Sequence, residues 1–175
     1  MNQKPSEHLA RVGRLRQAFA GANERLVARL RRATDAAAER APDGRWSAAR
    51  IGWHVAAVTN RFAGLISGDI AGAHPLPEGY RERPWAEIAA AIPERIETPA
   101  ALVPPAIVRR ADAVSALEAS GMRMARAFDA LTEPRGRGFG ITNKLVGTIS
   151  LYQLGDWATA HIIRHNKQAK ERIGQ

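Results

Sequence analysis

Residues 150–174, SLYQLGDWATAHIIRHNKQAKERIG, read as the closing helix of the chain. Ser150 is suited to cap its start, and Gly174 marks its stop. His161 and His165 lie within it four residues apart, so on a helix both imidazoles leave from one face, one turn apart. Two nitrogen donors stacked in this way can bind one borderline metal ion if a third ligand arrives from another element. An i, i+4 pair also occurs by chance, and two helix-surface or core histidines with ordinary hydrogen bonds would read the same way. Position bears on the choice. Leu154, Ala158, His161, His165 and Gln168 fall along one stripe. If that stripe faces a bundle, both rings point inward, and the small Ala158 leaves room above them.

Working back toward the N-terminus, three more helices are expected. Ser6 starts a long first helix to about Arg40, with Leu9, Val12, Leu15, Phe19, Leu26, Leu30 and Ala33 as its apolar stripe and Gly21 softening its middle. Ala41-Pro42-Asp43-Gly44 carries turn chemistry and ends it. A second helix starts at Ser47 and runs to about Ser67, closed by Gly68-Asp69. Ile51, Val55, Val58, Phe62 and Leu65 or Ile66 form its stripe, and His54 sits at the edge of that face or on it. Asp112 is expected to cap a third helix to about Leu131, with Val114, Leu117, Gly121, Met124, Phe128 and Leu131 at a and d spacing.

Between the second and third helices, residues 70–110 hold seven of the ten prolines, which excludes a continuous helix. A short helix over Trp85–Ala91 fits there, within a long crossover of the kind some bundles require. Thr132–Gly140 reads as a loop and Ile141–Thr148 as a short, extended connection. The expected architecture is all-α, a four-helix bundle in one domain spanning residues 1–175, with no sheet.

Composition narrows the chemistry. With no cysteine, disulfides, thiolate ligands, Fe–S clusters and a cysteine nucleophile are excluded, and thiol chemistry would need an outside thiol. No apolar run approaches the roughly 18 residues of a membrane span, and MNQKPSEHLARVGRL has no apolar signal core, so a cytoplasmic protein is expected. The formal net charge is +9, and residues 4–40 hold nine Lys or Arg against four Asp or Glu. These charges are spread along polar faces as a solvated surface. No recognition helix or interleaved aromatic-basic stretch accompanies them, so a nucleic acid is not expected as partner.

Trp46-Ser47 followed by Ile51-Gly52-Trp53-His54-Val55-Ala56 resembles the second-helix signature of the DinB-like (DinB/YfiT) superfamily. Gly147-Thr148-Ile149-Ser150-Leu151, then His161-x-x-x-His165-x-x-Gln168, is similar to its closing segment. The Pro-rich middle, including Val103-Pro104-Pro105-Ala106, is also in character, so the resemblance covers nearly the whole chain. It implies a bundle of up-down-down-up connectivity and a metal held by three histidines, which map to His54, His161 and His165. His8, expected as an exposed first-turn residue, and His74, expected in a loop, match no ligand position.

Three neutral ligands would leave open positions and an undiminished positive charge, which lowers the pKa of a bound water or thiol. Zn²⁺ and Ni²⁺ suit imidazole best, with Fe²⁺ or Mn²⁺ next, whereas Mg²⁺ and Ca²⁺ do not suit it. Asn166, Gln168 and Asp156 are near enough in sequence to support a ring nitrogen, with no assignment among them. Trp46, Trp53 and Trp157 suit bundle packing, or a wall for the metal pocket. By resemblance the expected activity is a metal-dependent, thiol-dependent transferase or a hydrolase acting on a small molecule, with a low-molecular-weight thiol as co-substrate. The same resemblance implies a homodimer. The competing expectation is a non-catalytic metal-binding or stress-related interaction protein.

Overall fold

The computed structural model describes residues 6–42, 44–93 and 96–174. Four long helices dominate: α1 (Glu7–Arg32), α3 (Ala48–Ser67), α5 (Arg110–Ala130) and α7 (Leu151–Ile173). Short helices intervene as α2 (Asp35–Glu39), α4 (Trp85–Ala91) and α6 (Glu133–Gly138), with one 3₁₀ turn at Ala100–Leu102. Both α1 and α3 pack on the pair α5 and α7, so α1–α3 and α5–α7 are the diagonals of a square bundle.

Side-chain pairs give the directions. Arg11 meets Asp156 and Arg29 meets Asn166, so α1 and α7 are parallel. Arg16 pairs with Asp129 and Arg31 with Glu118, so α1 and α5 are antiparallel. Phe62 stacks on Trp157 while His54 meets His165, so α3 runs against α7. The connectivity is up-down-down-up. Two parallel neighbours, α3 and α5, cannot be joined by a tight turn, which accounts for the long Pro-rich crossover.

The expected stripes are the core. Leu15, Phe19, Leu26 and Leu30 of α1 are buried, as are Ile51, Val55, Val58, Phe62, Leu65 and Ile66 of α3. Leu117, Met124 and Phe128 of α5 join them. Leu9 departs from its stripe at 61% exposure, in the first turn of α1. Gly21 does not interrupt α1, which is continuous from Glu7 to Arg32.

Several boundaries differ from expectation. The first helix stops at Arg32, not near Arg40, because Ala33 turns extended and Thr34 caps a new helix by accepting from the Ala37 N–H. In the turn that follows, Arg45 N–H donates to Pro42 O at 2.9 Å, while Asp43 lies outside the described residues. Asp112 does not cap α5. The helix begins two residues earlier, where the Glu39 carboxylate accepts from the Arg110 N–H at 2.9 Å, and Asp112 adds its charge in the first turn. Thr132–Gly140 is not wholly loop, because Thr132 caps α6. Arg135 of that helix donates to the Leu65 and Ile66 carbonyls, both at 2.9 Å, satisfying the end of α3.

A sheet is present, contrary to expectation. Strands β1 (His74–Pro75), β2 (Phe139–Asn143) and β3 (Gly147–Ser150) pair antiparallel in the order β1-β2-β3. Gly147 supplies the left-handed residue of the β2–β3 hairpin, with φ 70°. Gly140 pairs with Ser150 so closely that a Cβ there would lie 2.1 Å from the Ile149 carbonyl oxygen. The hairpin delivers the chain to Ser150, the first residue of the α7 cap. Among the described residues, no helix is long and apolar enough to cross a membrane.

Candidate metal centre

Two locally determined helix starts orient the candidate ligands. On α3, Ser47 Oγ accepts from the Arg50 N–H at 3.1 Å, one turn before His54. On α7, Ser150 and Gln153 form a reciprocal capping box, and the helix runs unbroken past His165. His54 is 5% exposed, on the face of α3 turned toward α7. The inward stripe of α7 follows the expected pattern, with Leu154 and Ala158 buried and His161, His165 and Gln168 half-buried.

The three rings meet. Centroid separations are 5.2 Å for His54–His161, 4.9 Å for His54–His165 and 4.3 Å for His161–His165. One ring nitrogen from each lies within 4.8 Å of the other two.

Hydrogen bonds set which nitrogens are offered. A carbonyl oxygen only accepts, so His54 Nδ1 carries the proton it donates to Leu102 O at 2.8 Å, and the Nε2 lone pair is left to the cluster. His165 does the same by donating Nδ1–H to Gln168 Oε1 at 2.7 Å. His161 Nδ1 is buried without a hydrogen-bond partner among the described residues. A buried polar atom left unpaired costs free energy and calls for an explanation. An ion at the meeting point would take the Nε2 lone pairs that His54 and His165 leave unshared. The donor set therefore fits a borderline divalent metal, and the three histidines together could hold one.

Burial also keeps the rings ready to ligate. It holds His161 well below the usual imidazole pKa, reinforced by the neighbouring His165 and His54. Burial brings His165 down to about 4, despite the opposing bond to Gln168. His54 is lowered for the same reason, against the raising effect of the Leu102 carbonyl. All three are neutral at pH 7, the form that binds metals.

The sign of the linkage is fixed by these shifts. In the unfolded chain a histidine takes up its proton near pH 6.5. In the folded chain His165 does so only near 4. Between those values the unfolded state binds more protons, so stability falls with falling pH, while above about 6.5 it is flat. Asp156, which burial lifts to about 6, acts in the opposite direction across the same window, but one carboxylate faces three imidazoles. Metal-free protein is expected to lose stability from pH 6.5 to 4, with His165 alone contributing about 3 kcal/mol. Urea midpoints of chelator-treated protein across this range check it, and a flat profile would contradict buried neutral rings.

The other residues singled out from the sequence separate cleanly. Gln168 is the partner of His165. Asn166 instead accepts from Arg29, and Asp156 pairs with Arg11 at 2.5 Å. Trp46 stands against His54 at 5.1 Å between centroids and walls one side of the cluster. Trp157, one turn from His161, packs on Phe62 at 5.1 Å and closes the same α3–α7 seam farther along. Trp53 packs against the core and makes no ring contact with the histidines. His8 is not an exposed residue but is half-buried, bonded to the Tyr152 hydroxyl at 2.7 Å. His74 lies in β1, bonded to Thr142 Oγ1 at 3.0 Å, and takes no part in the cluster.

The Leu102 carbonyl was not foreseen, since a backbone oxygen has no residue signature. Two surface clefts between α1 and α5, of about 410 and 560 Å³, contain none of the three histidines. Their linings carry no comparable convergence of metal-ligating groups, so the seam between α3 and α7 is the better candidate.

Comparison with known proteins agrees with this fold. A crystal structure of a conserved protein of locus from Enterococcus faecalis superposes with a TM-score of 0.61 at 18% identity. The match covers 91% of this chain and 92% of that one, a likeness of fold. No curated protein matches. A family model for the DinB superfamily matches residues 18–169, a span that holds all three histidines and all four long helices but the first turns of α1 and the last of α7. The chain belongs to the DinB superfamily.

Proposed function

We propose that the protein is a divalent-metal-dependent enzyme, a thiol-dependent transferase or a hydrolase, with the ion held by His54, His161 and His165. The observation that carries this reading is the convergence of three neutral imidazoles. A bound Zn²⁺ or Ni²⁺, or less suitably Fe²⁺ or Mn²⁺, would supply Lewis acidity that brings a water or a small thiol toward ionisation near neutral pH.

The chain's own contribution is orientation and exclusion of water. His54 and His165 are locked in the tautomer that presents Nε2, by Leu102 O and Gln168 Oε1. Trp46 on one side, and the Trp157–Phe62 pair along the seam, limit solvent access. The cluster contains no fourth ligating side chain among the described residues, which suits an open rather than a closed structural site. With no cysteine in the chain, the thiol would be a separate small molecule. A small-molecule substrate and a homodimeric state belong to the same reading and rest on family membership alone, while the cytoplasmic setting rests on the apolar patterning of the sequence.

Metal analysis of protein purified without chelator tests it. About one equivalent per chain is expected, released on acidification toward pH 4, where His165 takes up its proton. Turnover of small electrophiles that depends on both the metal and an added low-molecular-weight thiol supports the transferase arm. Metal-dependent turnover without thiol supports the hydrolase arm. A chain that takes up no divalent metal overturns the reading.

A further inference from the structure

Arg50 sits one turn before His54 on the same face of α3. Its guanidinium reaches across to the Pro-rich crossover. Nε donates to Pro105 O at 2.8 Å and Nη2 to Pro104 O at 3.2 Å. The group also lies over the Trp46 ring, its Cζ 6.0 Å from the centroid. Two residues upstream of these carbonyls, the crossover presents Leu102 O to His54 Nδ1 at 2.8 Å. Pro104 and Pro105 have no N–H to donate and fixed φ, so this stretch cannot zip itself into a helix or strand. Its position over α3 depends on what grips its carbonyls, and Arg50 grips two in succession.

We infer that Arg50 is a positioning residue for the metal centre, acting through the 102–105 backbone to hold the Leu102 carbonyl where it sets the His54 tautomer and ring angle. The inference rests on the proposed metal site. The crossover then does more than connect two parallel helices, because it supplies the outer partner of one ligand. The linkage is reciprocal, so an ion held on His54 Nε2 should also stabilise the docked crossover.

Coulomb's law opposes this inference in sign, which makes it testable. Removing a cation so near a dication site should by charge alone strengthen metal binding. Loss of the outer-shell partner should weaken it, by about tenfold or more. Wild type, Arg50→Leu and Arg50→Lys are titrated with Zn²⁺ against a competing chelator at pH 7. Arg61→Gln, an exposed cation on the same helix, serves as the charge control. Ring ¹⁵N shifts of His54 are recorded on the metal-free proteins to report the tautomer.

Arg50→Leu should weaken Zn²⁺ about tenfold. It should also mix the His54 tautomers that are single in wild type. Arg50→Lys, which retains a donor, should recover part of the loss, and Arg61→Gln should not weaken binding. Unchanged or tighter Zn²⁺ binding by Arg50→Leu, or an unchanged His54 tautomer, overturns the inference and leaves the metal reading standing. A wild-type chain that binds no Zn²⁺ overturns both.

Discussion

His161→Ala is expected to cut zinc affinity by two to three orders of magnitude while leaving the metal-free fold nearly as stable as before. Zinc bound by four protein ligands gains about 10–16 kcal/mol, on the order of 2.5–4 kcal/mol per ligand. At 1.4 kcal/mol per tenfold, removing one ligand costs roughly 10²–10³ in affinity. The effect on folding should be small because two costs oppose. Truncation opens a cavity between α3 and α7, which destabilises. It also removes a buried nitrogen with no partner, itself a liability of about 1–3 kcal/mol. A net change within about 1 kcal/mol is expected from urea midpoints of chelator-treated protein. His74→Ala, in β1 away from the cluster, serves as the control and should leave zinc affinity unchanged. If His161→Ala binds zinc like wild type, the triad is not the site.

Phe128→Ala should do the reverse. Phe128 is fully buried on α5, edge-on to Phe19 with centroids 6.1 Å apart. It also rests against α7 where that helix has only Gly155, and a Cβ there would lie 2.9 Å from Phe128 Cε1. One ring thus ties three helices together across a bundle diagonal. Truncating a buried Phe costs about 3–5 kcal/mol. Domains of this size have about 5–15 kcal/mol in total, so a large part of the stability goes. Because α5 contributes no ligand, the folded fraction should bind zinc with unchanged affinity. A loss below about 1 kcal/mol would mean that the bundle centre is not packed as described.

The closing helix was readable almost in full. Its Ser150 cap, its terminal glycine and the shared face of His161 and His165 depend on residues within a few positions of one another. The stripes of α1, α3 and α5 were readable for the same reason, as was the short helix Trp85–Ala91 in the crossover. The break at Ala33–Thr34 also had a local signal, the Thr34 cap, but it was masked by apolar periodicity continuing through Ala33. The sheet was missed because its strands are only two, five and four residues long, and β1 joins the β2–β3 hairpin from a distant part of the chain. The start of α5 was misplaced because its first N–H is satisfied by Glu39, some seventy residues upstream.

The candidate site divides in the same way. That His161 and His165 project together follows from helical period alone, and family likeness pointed to His54 as the third member. Sequence by itself thus determined the four long helices, the Ser6, Ser47 and Ser150 caps and the histidines worth attention, since these rest on spacing and short-range hydrogen bonds. Only the tertiary structure decided that the three rings meet, which nitrogen two of them offer, and that all three stay uncharged at neutral pH. The physical reason is that burial and hydrogen-bond partners come from segments far apart in the chain. Leu102 O reaches His54 from 48 residues away, and nothing in residues 46–67 announces it.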